Sequence, residues 1–207
     1  MKRKKFTLIS TLVTAAAGSL FAQDAVTPSG ARAGQLIETG KVVIGDRAAS
    51  YVIHRLPVSS FPELPAPIAN VLNQRGCAIP QTYEGHKPEN VIHASLEKAG
   101  SSDWAVLCSS RGTVSLLVFF ESAPDHPTVL AASAETKRLQ EHGAREPLGF
   151  NWGIDPASPE NVHEAQSSMG HRPSRPDHDA LADSVVDHGT VYHFFTRNQW
   201  IVLDMPN

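Results

Sequence analysis

NVIHASLE (residues 90–97), DWAVLCSS (103–110) and TVSLLVFFE (113–121) are three apolar runs of strand length. KAGSS (98–102) and RG (111–112) separate them, and both spacers have turn composition. β-Branched and aromatic residues dominate, and the spacers are far too short for crossover helices. The stretch therefore predicts an antiparallel β-meander with 103–110 as its middle strand.

Working outward, Cys77 and Cys108 are the only cysteines of the 207-residue chain. Residues 1–22 read as a secretory signal: Lys2, Arg3, Lys4 and Lys5, then a short apolar run ending at Phe21-Ala22. That run holds Thr7, Ser10, Thr11, Thr14 and Ser19, which makes it too polar for a membrane span. Export implies an oxidising compartment, periplasmic or extracellular, where two lone cysteines pair. A Cys77–Cys108 bridge is expected.

Loss of residues 1–22 takes 18 cations to 14 against 21 acids, and the net charge from −3 to −7. With no Lys/Arg cluster left, nucleic acid and anionic membrane surfaces are excluded as general partners. No further apolar stretch is long enough to span a bilayer, so the mature chain is expected to have no integral span.

Residues 23–47 read as a flexible leader with a short strand at 41–44, and 48–207 as one disulfide-tied domain. SYVIHRL (50–56) has strand composition. Pro65 and Pro67, then Ile68, Val71 and Leu72, with Gly76 beyond, predict a helix over 66–75. A further strand is expected at 128–132 and a polar helix near 135–141. Ser158-Pro159-Glu160 has the chemistry of a helix start. Leu181 and Val185 suggest a short amphipathic helix over 177–186. TVYHFFT (190–196), Arg197-Asn198 and QWIVLDM (199–205) predict a closing β-hairpin. The sum is an α+β fold, an antiparallel meander sheet with a few short helices beside it.

Residues 90–120 resemble one blade of an FG-GAP or VCBS type β-propeller repeat: Asn90-Val91-Ile92, the loop 100–103, Trp104–Cys108, then Leu116–Phe119. Such a resemblance implies a strand–loop–strand–strand unit. The family's calcium loop is rich in aspartate, whereas this loop has Asp103 alone. Calcium binding is therefore not implied, and one copy does not build a propeller. GCAIPQ and DWAVLCS are also similar to exported bacterial proteins of uncharacterised function, which implies the envelope and no activity.

Of ten histidines, His163, His171, His178, His188 and His193 fall in the C-terminal third, among Asp177, Asp179, Asp183 and Asp187. Imidazole and carboxylate suit divalent metals. His171, His178, Asp179, His188 and His193 are the candidate ligands, but His163-Glu164 lacks a second histidine at Ser167. No GxSxG elbow or phosphate-binding glycine loop is present. Phe150 and Trp152, between Gly149 and Gly153, are the candidate ligand surface, with core capping as the alternative.

These features point to an exported, non-catalytic binding or envelope-associated module without a cofactor. Its partner would be another envelope protein or a small ligand. The alternatives are a periplasmic hydrolase, metal-assisted through the C-terminal His/Asp residues, and an inhibitor or chaperone-like partner of another envelope protein.

Overall fold

A computed structural model describes residues 34–206, all within one compact unit. The expected signal, and the part of the expected leader before residue 34, lie outside the described residues. Among the described residues thirteen strands form: β1 (Leu36–Ile44), β2 (Arg47–Pro57), β3 (Ala78–Gln81), β4 (Val91–Ala94), β5 (Asp103–Ser110), β6 (Thr113–Phe119), β7 (Thr128–Ala134), β8 (Leu139–Gln140), β9 (Leu148–Phe150), β10 (Trp152–Ala157), β11 (Ala180–Val185), β12 (Gly189–Thr196) and β13 (Gln199–Val202). Two helices join them, α1 (Ala66–Gln74) and α2 (Pro159–Ala165).

The fold is mostly β and consistent with α+β, but it is not a pure meander. The larger sheet has nine strands in the order β7-β6-β5-β3-β2-β9-β8, with β1 on β2 and β4 on β5. Its β2–β9 pair is parallel, Tyr51 opposite Leu148. One side of β5 is shared: β4 takes its first half and β3 meets it at Ser109. A second, antiparallel sheet runs β10-β11-β12-β13 and ends in the expected hairpin.

Alternation on β5 explains the layering, because side chains of a strand point to opposite faces in turn. Ala105 and Leu107 enter a core between the two sheets with Leu116, Trp152, Ile154 and Leu181. Trp104, Val106 and Cys108 enter a second core under α1 with Ile68, Leu72 and Ile79. A third core lies between the smaller sheet and α2, built on Ala157, Val162, Ala180, Ala182 and Phe194. The layers thus run helix, sheet, sheet, helix. Fully buried side chains such as Leu72 and Leu107 each contribute about 1.5–3 kcal/mol by leaving water.

Helix α1 ends as its sequence predicts. Gly76 takes the left-handed conformation (φ 67°), the Gly76 N–H donates to the Asn73 carbonyl and the Cys77 N–H to the Leu72 carbonyl. That is a Schellman closure. Cys77 is bonded to Cys108 on β5, Cα to Cα 5.0 Å, so the bridge ties the helix end to the central strand. At the other predicted helix start, Ser158 Oγ accepts the Asn161 N–H at 3.2 Å and α2 follows.

Three local expectations are corrected. Residues 36–47, assigned to a leader with a short strand at 41–44, form that strand as part of the longer β1 and then the start of β2, paired from Leu36–Arg55 to Ile44–Arg47. Gly45, at φ 59°, closes the tight turn that makes this hairpin. Residues 180–185 form β11 rather than a helix. Leu181 faces one core while Ala180 and Ala182 face another, and a strand buried on both sides hides its period of two. The polar helix near 135–141 is a single 3-10 turn, Glu135–Arg138, followed by β8.

Candidate functional site

The C-terminal histidines and aspartates do not converge. His171 is exposed on the loop after α2, and His188 is exposed in the β11–β12 turn. His178 is buried: Nδ1 faces an Asp177 carboxylate oxygen at 2.7 Å, Nε2 faces the Phe195 carbonyl at 2.9 Å, and the ring stacks on Phe194. Neither nitrogen is left to bind a ligand. Asp179 accepts the Ser95 N–H at 2.9 Å and returns its own N–H to the Ser95 carbonyl. His193, on β12, meets Asp183 Oδ2 at 3.3 Å, while the Trp152 indole N–H donates to Asp183 Oδ1 at 2.6 Å. Among the described residues, no group of three or more His, Cys, Asp or Glu side chains is placed to hold a metal ion.

Phe150 and Trp152 are not a surface platform. They meet in one core although they lie on different strands, β9 of the larger sheet and β10 of the smaller, and that core is the one between the sheets, where they are 1 % and 0 % exposed. Asn151 between them fixes the crossing. Its N–H donates to the Arg138 carbonyl, and its carbonyl accepts the Val186 N–H. The Arg138 guanidinium sits 3.9 Å over the Trp152 ring, a cation–π contact across the buried indole.

Two carboxylates that the sequence did not single out organise the loops. Asp103 is fully buried and accepts from the Leu96, Glu97 and Glu121 N–H groups at 2.7–2.8 Å, and from the Ser101 hydroxyl. Burying it without these donors would be costly. Glu135 accepts from Arg55 Nε and Nη2 and from the Ser109 hydroxyl. Arg55 also reaches Glu38 on β1 at 2.8 Å. Burial opposes the Arg55 charge, yet the hydrogen bonds to Glu135 and Glu38 outweigh it and hold the guanidinium above its ordinary value. The hydrogen bond from Arg55 likewise holds the Glu38 carboxyl below its usual range, against partial desolvation. A lone acid in a polar loop and one at a helix-like segment carry no sequence signal for such roles.

The longest of the strands at a sheet edge is β1, of nine residues. Among the described residues it pairs with β2 alone, so its outer row of backbone donors and acceptors has no strand beside it. Leu36 is 52 % exposed, Val43 70 % and Ile44 52 %. Gly40 lies opposite Tyr51, and a Cβ there would fall 2.7 Å from the tyrosine ring. The ring thus covers the glycine and donates its hydroxyl to Glu38 at 2.9 Å, which keeps the strand extended. Beside the turn of this hairpin, Arg47–Ser50 and the loop 141–148 frame a concavity of about 470 Å³, bridged by an Arg47–Glu141 ion pair. No helix among the described residues is long and apolar enough to cross a membrane.

No protein-family model, curated protein or solved structure matches this chain.

Proposed function

We propose that this chain is an exported binding module of the cell envelope, non-catalytic, which takes an extended segment of another envelope protein onto the free edge of β1. The observation that carries the reading is that edge: nine residues long, unpaired among the described residues, with Leu36, Val43 and Ile44 exposed. A strand added there would satisfy main-chain groups of both partners, and alternate side chains would supply specificity. Proteins usually blunt such edges; here Lys41 is the only cation on the strand.

Two further observations support it. The disulfide fits an oxidising compartment. The buried Asp103, Glu135 and His178 each have polar atoms engaged by the fold, which supports a structural part for these three. An inhibitor or chaperone-like role would use the same edge.

The test is to crosslink the mature protein in its own envelope, recover it, and analyse its metal content in parallel. One specific protein should co-purify, no stoichiometric metal should be present, and Val43→Lys with Ile44→Lys should abolish the capture. Capture unchanged in that variant would remove the strand edge as the site, and stoichiometric metal would favour a metal-assisted hydrolase instead.

A further inference from the structure

We infer that the end of α1 and the β5–β6 turn form a binding site for a phosphate monoester. The local chain geometry builds it. Cys108 pairs with Ser115 and Ser110 with Thr113 across β5 and β6, so all four side chains lie on the face that α1 covers. Helix α1 stops at Gln74, and the bridge to Cys108 holds its end over this strand pair. Beyond that end the sheet face is lined by hydroxyls rather than by a helix.

The result is a concavity of about 310 Å³ bordered by Gln74, Arg75, Arg111, Ser110, Thr113 and Ser115, with Cys108 at its floor. Among the described residues, no carboxylate lines it. Arg75 and Arg111 make no ion pair among the described residues, although the chain as a whole is acidic. Arg111 and Gly112 both take positive φ, 53° and 77°, which fixes the turn and the root of the Arg111 side chain.

A helix C-terminus by itself repels an anion. Here three of the carbonyls at that end are already taken: Leu72 by the Cys77 N–H, Asn73 by the Gly76 N–H, and Arg75 by the Ser110 hydroxyl at 2.9 Å. Two unpaired guanidinium forks and the remaining hydroxyls then supply donors in excess, and such forks match the oxygens of a phosphate. The volume is at the low end for small-molecule sites, about 300–1,000 Å³. That suits a phosphate carried on a small organic body, such as a sugar phosphate, better than the bare ion. This site is separate from the β1 edge, and the reading of that edge stands or falls without it.

The test is calorimetric titration of the mature protein with glucose 6-phosphate and with inorganic phosphate at constant ionic strength. Amide shifts of Gly76 and Gly112 are followed by NMR. Saturable binding of both is expected, tighter for the sugar phosphate, with shifts confined to these turns. Arg75→Gln and Arg111→Asn should each weaken binding about tenfold or more, with an unchanged melting temperature. Asn is chosen because it tolerates the left-handed backbone at 111. Arg111→Lys should restore part of the affinity. Absence of saturation with either phosphate, or parental affinity in both variants, would overturn the inference.

Discussion

The guanidinium of Arg55, on β2, is held by both oxygens of Glu135 at 2.7–2.8 Å, across 80 residues of sequence. Their side chains are 12 % and 4 % exposed, so this pair joins the two halves of the larger sheet away from solvent. Breaking a buried pair leaves an uncompensated charge, at a cost of about 3–5 kcal/mol. Glu135→Gln should therefore lower the urea midpoint sharply. Arg47→Ala, which removes an exposed ion pair to Glu141, should change stability by less than about 1 kcal/mol. Equal effects of the two substitutions would contradict this assignment.

Glu38 gives a pH dependence. Its folded carboxyl is held below the ordinary 4.5, chiefly by the hydrogen bond from Arg55. A depressed acid stabilises the fold above its unfolded value, and that contribution is lost as pH falls through the folded one. Parent and Glu38→Gln should accordingly differ in stability at neutral pH and converge in acid, once the pH lies below the depressed folded value. The check is the unfolding midpoint against pH for both proteins.

Tyr83 titrates at the other extreme. Desolvation, then its hydrogen bond to Asp187, push the phenol from 10 up to about 12. Here the folded state keeps its proton longer, so the stability it contributes is intact below pH 10 and is lost as pH rises toward 12. In an ultraviolet titration of tyrosinate, Tyr83→Phe should remove the phase nearest pH 12. Persistence of that phase would assign it elsewhere.

The bridge spans 31 positions, and a loop of that size removes about 3–4 kcal/mol of unfolded-state freedom in the chain-entropy model. Cys77→Ala with Cys108→Ala should lose stability of that order in chemical denaturation. Alkylation of the native protein under denaturing, non-reducing conditions should label neither sulfur.

Much of the frame is legible in the chain because its signals are local. Pro67 and Gly76 mark α1, Ser158 caps α2, and the turn at 111–112 sets β5 against β6. The losses are instructive. β9 is only Leu148, Gly149 and Phe150, too short to show a period, and its parallel partner lies far back in the chain. The Leu181–Val185 spacing suits a helix face equally well, and only the two cores on either side of β11 decide between them. The histidines and aspartates of the C-terminal third are dense in sequence, yet strand alternation and separate loops send them in different directions. Phe150 and Trp152 show the converse: flanking glycines suggest an open loop, while Gly149 is in fact packed against Tyr83, where a Cβ would come within 2.4 Å of the tyrosine.

The parallel contact between Tyr51 and Leu148 also governs the order of assembly. In a chain delivered amino-terminus first, the β1–β2 ribbon is complete long before its partner β9 has emerged. Contacts of such large sequence separation slow folding, because loop entropy is spent before the contact repays it. Until Leu148 arrives, the Tyr51–Val52 segment is paired with β1 on one flank and is a bare template on the other, and escort by a holdase would matter most in that interval.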